Sequence, residues 1–179
     1  MKPKTKWMLG TMQVIAWITF IGICIKTGAM MVSFFISLAV NPEATKNLYE
    51  KLNLSDLYNY SIWHYVVFFS IIVALSAFKA HIFYMVIQIF QKINFVNPFS
   101  EAVSALISAI GYIALAVGIG TVLANAYHDW LAQQGVAFPD LQAYLGGGGE
   151  FLLLGGIIFM IAEVFKRGIE LQSENELTV

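Results

Sequence analysis

The sequence predicts an all-α integral membrane four-helix bundle, with an unusually long first helix and both termini in the cytoplasm. Four apolar segments, each bounded by charged or turn-forming residues, fill most of the 179-residue chain. Hydrophobic residues make up 59% and charged residues 12% of it, about half the charge of an ordinary soluble domain, which is near 25%. Trp63 to Phe90 has only His64, Lys79, His81 and Gln88 as strongly polar interior members. That run exceeds the roughly 20 apolar residues that cross a bilayer. Residues 1–179 therefore read as a single membrane domain, with spans at about 7–40, 61–90, 97–126 and 150–167 and a short charged tail at 168–179.

The first span is roughly 50 Å long at 1.5 Å per residue, well beyond the ~30 Å hydrocarbon core. It either bends near Lys26, Thr27 and Gly28 or projects beyond the outer face. Projection is preferred because Asn41 and Pro42 are its first clear stop. Lys2, Lys4 and Lys6 before an apolar core also suit a secretory signal. The apolar character resumes after Ala29, however, and Ile23 stands where a lipoprotein-type site at Cys24 wants a small residue, so an uncleaved span is expected. Cys24 is the only cysteine, which excludes an intramolecular disulfide and suggests a packing role.

Asn41 to Tyr60 is a polar connection, expected to hold a short amphipathic helix from Glu43 to Leu52 with Leu48 and Leu52 lying on apolar surface. The third span opens with Asn97, Pro98, Phe99, Ser100 and Glu101. Here Asn97 suits the cap, Pro98 the first helical position, and Glu101 the positive end of the macrodipole. Ser104, Ser108, Gly111, Leu115 and Gly118 alternate at steps of four and three, a small-residue seam for close helix packing. Tyr127 to Glu150 is turn-rich and free of Lys and Arg, with Gly146 to Gly149 as a flexible joint. The fourth helix is expected to stop at Arg167 and Gly168, the glycine taking a left-handed cap. Lys2, Lys4, Lys6, Lys92, Lys166 and Arg167 then face one side, against Lys46 and Lys51 on the other, which places both termini inside.

Ionisable groups within spans are the candidates for chemistry, since a charge at the bilayer centre costs on the order of 3 kcal/mol. Lys79 and Glu163 are expected toward the inner ends of their helices, where they would form an ion pair. Lys26 is expected to snorkel near the outer interface. His64, His128, Asp129, Asp140 and Glu150 gather at the outer edge and have the residue types of a metal or proton site, but lack a metal-binding spacing. No nucleophile elbow, phosphate-cradling loop or paired intramembrane carboxylates occur, so no enzyme, cofactor or resident metal is expected. No basic stripe suggests direct nucleic-acid binding. The expected partner is the lipid bilayer, and a homo-oligomer stays open.

The segment Asn97-Pro98-Phe99-Ser100, together with the ending from Phe165-Lys166-Arg167-Gly168 through Ile169, Glu170, Leu171, Glu174, Asn175, Leu177, Thr178 and Val179, resembles the bacterial membrane family called domain of unknown function 2975. The resemblance implies a protein of the cytoplasmic membrane, in a family often encoded beside a small helix-turn-helix regulator. The apolar residues spaced along the tail suit docking of a soluble partner. The expected function is therefore a regulatory or interaction partner, with a small transporter, channel or immunity-type protein as the alternative.

Overall fold

A computed structural model describes residues 3–93 and 99–177, with side chains described for 7–93 and 99–174. The fold is all-α. Long helices α1 (Pro3–Ala39), α3 (Ile62–Lys92), α4 (Glu101–Gln133) and α6 (Gly148–Leu177) are joined by polar segments holding the short α2 (Ser55–Tyr60) and α5 (Gln142–Leu145). All four long helices are long and apolar enough to cross a membrane. They pack in sequence order, α1 on α3, α3 on α4, and α4 most extensively on α6.

α1 is unbroken through Lys26, Thr27 and Gly28. Cys24, expected to pack, is instead exposed on it. α4 starts three residues later than expected, because the Ser100 hydroxyl caps it by accepting the Val103 N–H at 3.4 Å. Asn97 and Pro98 lie outside the described residues. α4 also continues past Ala126. Its stop is Gly135 at φ +89, where the Gly135 N–H reaches the Ala132 carbonyl and the Val136 N–H reaches the Leu131 carbonyl. That pair of bonds is a Schellman motif, closed by the buried Leu131 and Val136.

The α4–α6 seam is built from small residues seven apart. Ser104, Gly111 and Gly118 recur on α4, and Gly148, Gly155 and Ala162 on the antiparallel α6, a spacing that suits side-by-side packing of two helices. A Cβ at Gly118 would lie 2.7 Å from Leu152 Cγ and 2.9 Å from its backbone nitrogen, and a Cβ at Gly155 would meet Leu115 at the same two distances. Each glycine is thus the hole for the other helix's leucine. Ser104 is buried in this seam, while Ser108 is half-buried beside it.

Phe151, in the first turn of α6, brings its ring within 5.2 Å of Lys79 Nζ, and Gly148 packs on Thr121. α6 therefore begins level with Lys79 and Thr121. Above this level α1 rises about 20 Å from Lys26, α3 about 26 Å and α4 about 18 Å. The connections wrap this projecting part as a cap, burying Leu48, Leu52, Leu54, Leu57, Leu141 and Leu145 against it. Glu43, Lys46, Glu50 and Lys51 are exposed on the cap, where their charge calls for water, while Met31, Val32, Phe35 and Trp63 expose apolar surface on the projecting helices. Below the cap, Gly148 to Lys166 covers about 27 Å and Thr121 to Glu101 about 30 Å, each close to the ~30 Å thickness of a hydrocarbon core.

The expected helix from Glu43 to Leu52 is replaced by two 3-10 turns, Pro42–Lys46 and Tyr49–Lys51. Asn41 starts the first by accepting the Glu43 N–H, and Glu50 and Lys51 break the path with φ of 57 and 62. Leu48 and Leu52 are still buried, because the irregular path lets both reach the helices. Beneath them, Phe34 stacks on Phe69 at 4.8 Å, and the buried Tyr65 hydroxyl lies 2.6 Å from Ser37 Oγ.

Candidate functional site

At the base of the cap, α1, α3 and α5 enclose a cavity of about 100 Å³ lined by Ile23, Lys26, Met30, Ile72, Ser76, Lys79, Ala143 and Tyr144. Lys26 donates to Glu50 Oε2 at 2.9 Å, and its ammonium lies 4.6 Å from the centre of the Tyr144 ring. The Tyr144 hydroxyl donates to the Tyr49 carbonyl at 3.0 Å, tying the two connections together. Tyr144→Phe is expected to lower stability by about 1 kcal/mol, the net worth of one such bond. A denaturant midpoint in detergent checks this.

Glu50 is held in a backbone region that costs a non-glycine residue roughly 1–2 kcal/mol. Its ion pair with Lys26 is partly exposed, and such pairs are worth no more than about 1 kcal/mol. The pair alone does not offset that strain, and burial of Leu48 and Leu52 on either side holds the turn in place. The cavity thus has two ammonium groups but one carboxylate. Lys79 rests against the Phe151 ring, and among the described residues no carboxylate is within ion-pair distance of it.

The expected pair of Lys79 with Glu163 does not form. Lys79 is level with Phe151, about 18 Å along α6 from Glu163, because α3 extends far into the cap and Lys79 sits at the cap end of the membrane layer. Glu163 instead accepts from Lys166 at 2.7 Å on its own helix. The cap histidines also separate. His64 shares a hydrogen bond with the Tyr127 hydroxyl, whereas His128 pairs with Asp129 and lies against Phe138. Among the described residues no three His, Cys, Asp or Glu side chains are placed to hold a metal.

At the opposite end the expected stop at Gly168 is corrected: α6 continues to Leu177. Gly168 faces the Phe99 ring so closely that a Cβ has no room, and that ring also meets Phe165 edge-on at 5.3 Å. The glycine is there for this approach rather than for a left-handed cap. Beyond it Ile169 is half-buried, Leu171 is exposed, and Arg167 donates to Glu170 at 2.7 Å. Glu101, Ser104, Ser108, Lys166, Ile169 and Glu170 line an open groove beside them. Asn175 and Leu177 lie in the helix with side chains outside the described set, as Glu174 is its last described side chain, and Thr178 and Val179 are outside altogether.

Sequence reasoning missed Glu50 and Tyr144. Their contacts to Lys26 and Tyr49 cross 24 and 95 positions of chain, and no periodicity or motif marks them.

Neither curated proteins nor solved structures give a match to the chain. The Phe99 and Gly168 segments, far apart in sequence, form one contact at the terminal end, and both fall within residues 37–179, which match the family described as Protein of unknown function (DUF2975); the chain belongs to that family.

Proposed function

We propose that this chain is a non-enzymatic multi-pass protein of a bacterial cytoplasmic membrane, with both termini inside, acting as a regulatory or interaction partner of a cytoplasmic protein. The observation that carries this reading is the continuation of α6 beyond Arg167, a helical handle of about 15 Å. A handle continuous with a span keeps Ile169, Leu171 and Leu177 in fixed relation to the membrane domain, and Phe99 on Gly168 braces its base. A soluble helix-turn-helix regulator is the partner class that the family's gene neighbourhood suggests.

The test is a gentle-detergent pull-down from native membranes with the full chain, a truncation after Gly168, and Leu177→Asp. A soluble protein retained by the full chain and lost from both variants is the expected result. Recruitment that survives the truncation sinks the reading. The alternative, a small transporter, channel or immunity-type protein, draws on the Lys26–Lys79 cavity and predicts altered solute flux in Lys79→Met at unchanged expression.

A further inference from the structure

We propose that the cavity between Lys26 and Lys79 binds one phosphodiester monoanion, supplied by the headgroup of an anionic phospholipid. The inference is independent of the partner reading, which concerns the opposite end of the molecule.

The donor inventory sets the ligand chemistry. The Thr27 hydroxyl donates to the Ile23 carbonyl at 2.8 Å, so in its 2.7 Å contact with Ser76 it is the acceptor and Ser76 the donor. The Tyr144 hydroxyl is committed to Tyr49. Donors remaining for a guest are the three N–H groups of Lys79 and those of Lys26 that Glu50 does not take. A guest met only by ammonium donors is best served by a group that accepts and does not donate, and its charge balances the surplus ammonium. A phosphodiester satisfies both conditions.

Position sets the source. The cavity lies level with the start of α6 and beneath the exposed charges of the cap, the level at which a headgroup phosphate would lie with the cap in water, and a basic pocket between spans suits an anionic headgroup there. Met30 and Ile72 close the cavity on the cap side, and Ile23, one turn below Lys26, supplies apolar surface for the adjoining glycerol and acyl carbons. α1 and α6 make no extended contact, and the Lys26 and Lys79 side chains are both part-exposed rather than sealed in. The volume is several times the ~10–15 Å³ that one water needs, enough for a single headgroup phosphate.

The test uses the full chain in neutral detergent, titrated with phosphatidylglycerol, phosphatidylcholine or the soluble dimethyl phosphate, and read by thermal shift and native mass spectrometry. Phosphatidylglycerol is expected to bind and stabilise. Phosphatidylcholine should bind more weakly, since its quaternary ammonium meets two lysines. Lys79→Met is expected to weaken the phosphatidylglycerol complex about tenfold or more, as loss of charge-assisted bonds does. Lys79→Arg should retain binding, and Lys46→Gln, on the cap away from the cavity, should leave it unchanged. Stabilisation by dimethyl phosphate to the same extent assigns the site to a free phosphodiester and overturns the lipid source. Equal affinity for phosphatidylglycerol in the wild type and in folded Lys79→Met overturns the site, as does no response to either probe. If Lys79→Met fails to fold, the arginine variant together with the wild-type preference between the two lipids decides the matter.

Discussion

Gly155→Ala is expected to destabilise the protein by about 1–2 kcal/mol, while Gly156→Ala, one residue along the same helix, is expected to stabilise it by about 0.5–1 kcal/mol. The two substitutions add the same methyl group and gain the same helix propensity, about 1 kcal/mol over glycine. They differ in what the methyl meets. At Gly156 nothing lies within 4 Å, whereas at Gly155 the new carbon sits 2.9 Å from the Leu115 backbone nitrogen. A side chain can rotate away, but a backbone atom moves only if α4 moves, so the overpacking cost of about 1–3 kcal/mol exceeds the propensity gain. Gly118→Ala should repeat the loss, since the Leu152 nitrogen stands at the same 2.9 Å. Unfolding midpoints in a detergent titration, followed by far-ultraviolet circular dichroism, measure all three. The same sign at 155 and 156 would show that the helices do not meet along this seam.

Phe69→Ala is expected to have the largest effect of any single truncation, about 3–5 kcal/mol. Phe69 is fully buried and contacts both the Phe34 and Tyr65 rings, joining α1 to α3 where the cap packs on them. Its removal leaves a cavity that rigid helices fill only in part. Protease cutting within residues 40–60 should accelerate while the spans stay inserted, because the membrane layer lies below. Uniform loss of all helical signal at one lower midpoint would instead show that cap and spans unfold as a single cooperative unit.

The four long apolar helices were legible because apolar length is a direct consequence of bilayer thickness, and the unbroken run of α1 to Ala39 followed from Asn41 and Pro42 being its first stop. Helix ends were less so. Tyr127 and His128 look like an end by polarity, yet hydrogen bonding continues to the Schellman turn at Gly135, because polar residues are compatible with a helix that has left the lipid. Gly168 carried the right residue for a cap and the wrong reason. Its partner Phe99 lies across the molecule, and a contact of that range leaves no trace in local spacing. Lys79 lies level with Phe151 and not with Glu163, which counting along α3 alone does not reveal. The level is set by where α6 starts, and the cavity's other members, Glu50 and Tyr144, depend on the cap's irregular path.

The glycines of α6 bear on biogenesis. Gly148, Gly149, Gly155, Gly156 and Gly168 lie within this one helix, and each lowers its intrinsic stability by up to about 1 kcal/mol relative to alanine. At Gly148 and Gly155 what offsets this is the close fit to α4, which exists only after α4 is in place. α6 leaves the ribosome after α4 and depends on it for a packing partner, so its docking waits on α4. A chain arrested before that step presents Gly118 of α4 as an empty hole, without the Leu152 that fills it.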